Sequence, residues 1–263
     1  VASFTKPSEE ALPDVPKLAI VGRPNVGKSS LVNALLGRVQ NIVTPIAGTT
    51  RDPINTRYTV FGFDVVLLDT AGIRKRQRVD EDIEFYSVIR SIRAIEDSDV
   101  CLLLIDATEG VHQQDLHIFS MIEKNGKGLV VVVNKWDLVQ KETNSAKEFE
   151  AQIRARLAPF NDVPIVFTSV LEKQRIHKVM EQAMEVWEAR RRKIPTRKLN
   201  DIMLPEIERL PPPMNKGKVI RIKFVNQLPT VVPSFAFYST RRKYVKGPYL
   251  RFLENKIRHH FPY

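Results

Sequence analysis

Residues 18–36 constrain this chain more than any other stretch. The apolar run Leu18-Ala19-Ile20-Val21 reads as a buried parallel strand, and Ser30-Leu31-Val32-Asn33-Ala34-Leu35-Leu36 has the apolar spacing of a helix. Between them lies Gly22-Arg23-Pro24-Asn25-Val26-Gly27-Lys28-Ser29. Strand, glycine loop, Lys-Ser and helix in this order form a phosphate-binding loop in its required context. Gly22 and Gly27 let the backbone turn tightly and bring its N–H groups up to phosphate oxygens. The helix N-terminus adds positive potential at the same point. Lys28 reaches the β and γ phosphates, and the Ser29 hydroxyl suits Mg²⁺.

A second carboxylate-bearing turn closes another strand-like run. Thr56 to Phe61 and Phe63 to Leu68 read as two strands joined at Gly62, and the second ends in Asp69-Thr70-Ala71-Gly72. Asp69 is placed to hold Mg²⁺ through water, and the Gly72 N–H to meet a γ-phosphate. Loss of that phosphate would release both loops, which is the behaviour of a switch. Thr50, in the irregular stretch Val43 to Asp52, offers a second hydroxyl to the metal. After the strand Leu129 to Val133 comes Asn134-Lys135-Trp136-Asp137. A carboxylate at Asp137 accepts two hydrogen bonds from guanine, from N1–H and the exocyclic amine. Adenine offers no such pair, so guanine is selected. The Lys135 stem can lie over the base. Thr168-Ser169-Val170-Leu171 follows a further strand and offers backbone N–H groups to the base.

The remaining elements alternate. Strands are expected at Val100 to Ile105 and Val163 to Phe167, and helices at Glu81 to Ile95, Gln113 to Glu123, Ser145 to Leu157 and Lys173 to Arg192. Such alternation indicates a mostly parallel α/β sheet with helices on both faces. Ile194-Pro195 breaks the pattern, giving an acidic, proline-containing linker at 1–16, a nucleotide-binding domain at 17–193 and a small α+β domain at 194–263. In the last, helices are expected at Thr196 to Arg209 and Pro248 to His260, with strands at Lys218 to Val225 and Ser234 to Ser239.

Composition narrows the setting. Of the net charge of +11, nearly all falls after Ile194, where 14 Lys and Arg face 4 Asp and Glu. A polyanionic partner such as RNA and a solvated basic surface account for this equally well. Arg190-Arg191-Arg192-Lys193 likewise suits either a helix C-terminus or RNA. No apolar run reaches membrane-spanning length, so no membrane partner is expected. The lone Cys101 lies in an apolar run and reads as a core thiol, in keeping with a reducing cytoplasm. The five histidines lack metal-ligand spacing with cysteine.

Gly22 to Ser29, Gly48 to Asp52, Asp69 to Gly72 and Asn134 to Asp137 together resemble the bacterial GTPases of the Era, MnmE and Der class. Asn226-Gln227, Pro233-Ser234-Phe235 and Tyr249 to Asn255 resemble the C-terminal domain of Der, also called EngA, which is similar to a KH RNA-binding fold. The resemblance implies a P-loop GTPase domain followed by a KH-like domain. It further implies a fragment that holds the second GTPase domain of a ribosome-assembly GTPase and lacks the first. It implies a cytoplasmic, monomeric protein that binds GTP or GDP with Mg²⁺, hydrolyses GTP slowly, and meets the large ribosomal subunit and its RNA. Residues Gly22, Asn25 to Ser30, Asp69 to Gly72, Asn134, Lys135, Asp137 and Ser169 to Leu171 would hold nucleotide; Ser29, Thr50 and Asp69 the Mg²⁺; and Lys28, Thr50 and Gly72 the chemistry. Asn25 matches an asparagine that helps bind K⁺ in related GTPases.

Four departures stand out. Val170 replaces the usual alanine. Ile73 occupies the position where many GTPases place a water-orienting glutamine. Beyond Ile194 only Gly217 and Gly247 occur, so the KH Gly-x-x-Gly loop is missing. The family also continues past the last helix into one more strand, so the small sheet is expected to be incomplete. A docking module with negligible turnover is the rival reading, and Era-like binding to small-subunit RNA a third.

Overall fold

The computed structural model describes residues 15–37, 45–46, 55–70, 84–140, 145–160, 162–214, 217–230 and 232–261. Seven strands form one sheet: β1 (Lys17–Gly22), β2 (Pro45–Ile46), β3 (Asn55–Tyr58), β4 (Val65–Leu67), β5 (Val100–Asp106), β6 (Gly128–Asn134) and β7 (Ile165–Phe167). Their spatial order is β2-β3-β4-β1-β5-β6-β7. Strands β4, β1, β5, β6 and β7 run parallel, while β3 is antiparallel to both β4 and β2.

Strands β5 and β6 are buried at every residue, because helices cover both sides and alternate side chains feed two cores. Leu102, Leu104, Val130 and Val132 point to one face. There they meet Leu31 and Leu35 of α1 (Lys28–Leu36) and Val179 and Ala183 of α5 (Ile176–Arg191). Cys101, Leu103, Val131 and Val133 point to the other. Ile95 of α2 (Glu84–Asp97), Ile122 of α3 (Gln113–Lys124) and Ile153 of α4 (Ser145–Leu157) close that side. The α/β expectation is therefore met.

Cys101 is fully buried beside the Ser98 hydroxyl, and burial pushes its thiol up to about 11. The native thiol should stay unmodified by iodoacetamide at pH 8, and react once the chain unfolds. Its folded value lies above the unfolded one near 9. This contribution to stability is therefore intact below pH 9 and is lost as pH rises toward 11. Mass analysis of the alkylated native protein checks the first point.

Where element limits differ from the sequence reading, backbone geometry explains the difference. Residues 59–64 leave the expected strand pair because Phe61 and Gly62 both take positive φ, 54° and 82°, to turn the hairpin. Helix α5 starts at Ile176 rather than Lys173 because Lys173 and Arg175 are left-handed. The strand expected at 218–225 is instead β8 (Ile222–Leu228), with an irregularity between Ile222 and Phe224. The hairpin pairs β8 with β9 (Ser234–Ser239), and these are the only two strands of the small sheet among the described residues.

Helices α6 (Thr196–Arg209) and α7 (Gly247–His260) pack on that hairpin around a third core that includes Leu199, Met203, Val225, Leu253 and Ile257. Asn200 fixes α6 to β8: its Nδ2 donates to the Val225 carbonyl at 2.7 Å and its Oδ1 accepts from the Val225 N–H at 2.9 Å. At the joint with the large sheet, Arg258 pairs with Asp162 at 3.2 Å and lies 4.9 Å over the Phe160 ring. His259 and His260 sit in the last turn of α7.

Candidate nucleotide site

Strand β1 is flanked by β4 on one side and β5 on the other, so the connections leave it in opposite directions. Ligands of open α/β sheets sit beyond the carboxyl ends of the strands at such a switch point. The loops after β1, β4, β5, β6 and β7 all open there, and they carry the residues singled out from the sequence.

The loop 22–27 is held in a shape that side chains resist. Gly22, Asn25 and Gly27 have φ of 146°, 63° and 103°. A Cβ on Gly22 would lie 2.6 Å from the Leu104 carbonyl oxygen, and one on Gly27 2.1 Å from Asn134 Nδ2. Val26 is buried in the core and pins the loop from beneath. Lys28 folds its ammonium back over the loop, donating to the Gly22 carbonyl at 2.8 Å and to the Arg23 carbonyl. Ser29 and Ser30 follow in the first turn of α1. Asn25 is exposed at the rim.

Arg23 was not singled out by the motif, yet it anchors the loop laterally. Its Nε donates to both Asp115 oxygens, at 3.1 and 3.0 Å, and Nη1 to Glu109 at 2.8 Å. Burial alone would lower the Arg23 pKa; the Glu109 bond and the charge of Asp115 outweigh it and raise the value. Asp115 is itself buried and also receives the His112 N–H at 3.0 Å, so it caps α3 and holds the loop at once.

Asn134 is the centre of the base side. It is buried; its Nδ2 donates to the Val26 carbonyl at 2.9 Å, and its Oδ1 accepts from the Val170 N–H at 3.1 Å. One side chain thus braces the phosphate-side loop against the 168–171 loop. Val170 is a core residue whose N–H serves this brace, Ser169 is buried with its hydroxyl accepting from Glu172 N–H at 3.2 Å, and Leu171 projects outward, 74% exposed. Lys135 is left-handed at φ 62°, and its ammonium pairs with Asp106 at 2.5 Å. Asp106 stands directly opposite Asn134 in the β5–β6 register. Burial pushes the Asp106 carboxyl up, but the bonds from Lys135 and Thr108 prevail and hold it below the usual range. Its signal was present in the sequence: like Asp69, it is a carboxylate ending an apolar strand. Asp137 lies half-buried in the short 3₁₀ turn Trp136–Leu138, which Trp136 fixes by packing on Phe167 at 4.5 Å.

At the end of β4, Asp69 takes φ 49° and its N–H donates to Asn55 Oδ1 at 3.3 Å. Thr70 is buried, its hydroxyl 2.7 Å from that of Thr56. Thr50, Ala71, Gly72 and Ile73 lie outside the described residues. The described donors for a metal, the Ser29 hydroxyl in the first turn of α1 and the Asp69 carboxylate just past β4, are both oxygen. A hard cation that keeps part of its water shell, such as Mg²⁺, fits that donor set.

Sheet order, glycine cradle, inward-folded lysine and Asn134 brace define a P-loop nucleotide-binding protein of the GTPase class. Family models agree along the chain. Residues 17–135 match the model of a 50S ribosome-binding GTPase, and residues 84–189 that of the elongation factor Tu GTP-binding domain. Residues 193–263 match the KH-domain-like C-terminal region of EngA bacterial GTPase enzymes. The chain is 62% identical to GTPase Der of Bacteroides fragilis over 98% of its own length and 60% of that protein. It is 59% identical to GTPase Der of Porphyromonas gingivalis over 95% of its length and 57% of that protein. The chain belongs to the Der (EngA) family, and spans about 60% of the length of these curated relatives. Among solved structures, Era from Aquifex aeolicus bound to GDP and AlF4⁻ superposes with a TM-score of 0.50 at 21% identity, covering 94% of this chain and 88% of that one; this is a likeness of fold.

Proposed function

We propose that the chain binds and hydrolyses GTP, and that its nucleotide state governs engagement with the large ribosomal subunit. The observation that carries this reading is Asn134, which ties Val26 of the phosphate loop to Val170 of the base loop. Both ends of one nucleotide are then positioned by a single buried side chain. In this reading the loop N–H groups from Asn25 to Ser30 and the Lys28 ammonium hold the phosphates. Ser29, Thr50 and Asp69 would hold Mg²⁺, which would supply positive charge to neutralise the phosphates. Thr70, Ala71 and Gly72 follow Asp69 along the γ-phosphate. Asn134, Lys135 and Asp137 read guanine, flanked by Ser169, Val170 and Leu171. Lys28 is preorganised for this: two carbonyls fix its ammonium where phosphate charge would arrive.

Large-subunit engagement is supported by the matched family description, a 50S ribosome-binding GTPase, and by the positive charge beyond Ile194. Work on ribosomal RNA would place the chain in the cytoplasm of a bacterium. Among the described residues no helix is long and apolar enough to cross a membrane.

Ile73 favours one specific modification. An apolar side chain cannot orient water by hydrogen bonding, so turnover relies on charge supplied from elsewhere. Asn25, exposed at the rim of the phosphate loop, would help hold K⁺ there. Phosphate release under multiple turnover should be slow in NaCl and rise about tenfold or more in KCl, as expected for one further cation stabilising the transition state. Ribosomal subunits should accelerate it further. Equal rates in the two salts would remove the K⁺ role. No release under any condition, with GTP still bound, would favour the docking module over the enzyme.

A further inference from the structure

Beside the amino-terminal end of β6, away from the nucleotide site, the large sheet and the KH-like unit form a half-open cavity of about 340 Å³. That volume is at the lower end of the roughly 300–1,000 Å³ usual for small-molecule sites. Its walls are mainly apolar and come from both units, Phe119, Ile122 and Phe160 on one side and Phe237, Leu253 and Ile257 on the other, with Glu123, Lys127 and Glu254 also on the lining. Two guanidinium groups reach it, Arg190 from the last turn of α5 and Arg258 from α7. Their situations differ. Arg258 is neutralised by Asp162 at 3.2 Å and Glu254 at 3.1 Å. Arg190 makes no ion pair among the described residues; its Nη2 donates to the Gly126 carbonyl. Burial, and then repulsion from Arg258, lower its pKa from the ordinary guanidinium value, while Asp99 opposes them. A desolvated cation facing an apolar chamber is costly unless an anion meets it.

We propose that this interdomain cavity binds a small anionic amphiphile, with its acidic head on Arg190 and its apolar body between the two units. Carboxylate and phosphate heads share this chemistry, and the test separates them. Such a ligand would touch both units, so its binding would stiffen the joint between them without touching the nucleotide loops.

The test titrates the intact chain with decanoate, decyl phosphate, decanol and decyltrimethylammonium, following displacement of 8-anilinonaphthalene-1-sulfonate and the heat of binding. One saturable site is expected for one or both anions, with the alcohol and the cationic amphiphile at least tenfold weaker. Whichever anion binds more tightly identifies the head group. Arg190→Gln should bring the anions down to the level of decanol. Leu250→Trp, at a half-exposed residue on the cavity wall, should block all four by filling the space. GTP affinity should be unchanged in both variants, which shows that each still folds. Absence of a saturable site, equal binding of decanol and decanoate, or an anion preference that survives Arg190→Gln would overturn the proposal.

Discussion

Asp137→Asn should weaken GTP binding by roughly 10²- to 10³-fold and raise affinity for xanthosine triphosphate. Two hydrogen bonds to a charged acceptor are worth about 1.5–3 kcal/mol each, and each 1.4 kcal/mol is tenfold. Asparagine keeps the shape but replaces one acceptor oxygen by a donor amide. Guanine then meets donor against donor at its exocyclic amine. Xanthine carries a carbonyl at that position and accepts the new bond. Asp137 lies in a turn fixed by Trp136 packing on Phe167, so the substitution leaves the backbone in place. Competition between GTP and xanthosine triphosphate for a fluorescent analogue measures the exchange. Unchanged preference would show that the base lies elsewhere.

Gly27→Ala should act at the other end of the nucleotide, with a loss of about 10³-fold or more. The added methyl would sit 2.1 Å from Asn134 Nδ2, and the backbone φ of 103° is one that alanine resists. Strain of this kind costs about 1–3 kcal/mol. Moving Asn134 aside also breaks its bonds to Val26 and Val170, and each buried group left unsatisfied costs about 1–3 kcal/mol. The damage therefore crosses from phosphate loop to base loop. Titration with GDP reads the affinity, and thermal unfolding reads the stability that should fall with it. A variant that binds GDP normally would contradict the brace.

The motifs were legible because their chemistry leaves few alternatives. A glycine loop between strand and helix, and strands ending in Asp69 and Asn134, foretell both the sheet and the edge where its loops gather. Local strain was harder to see. Nothing in the pattern around Lys173 to Ile176 announces two left-handed residues, so the helix was expected three residues early. Long-range partnership was hardest. Arg23 and Asp115 stand 92 residues apart, and only the packing of α3 beside the loop joins them. Asn134 was expected to act directly on guanine; that it also staples two loops required knowing that Val26, 108 positions away, lies within reach. In the C-terminal region β8 begins four residues later than expected, since the alternation starts at Lys218 but the pairing with β9 starts only at Ile222, opposite Ser239.

The grip of Asp115 on Arg23 makes α3 a connecting rod. Its first turn holds the phosphate loop, and the turn just past its last residue presents Gly126, where an added Cβ would lie 3.0 Å from Val232 of the KH-like unit. Twelve residues at 1.5 Å each span about 18 Å, with little capacity to compress. Arg23→Gln would therefore free the phosphate loop from α3 and leave the buried Asp115 carboxylate without its guanidinium partner.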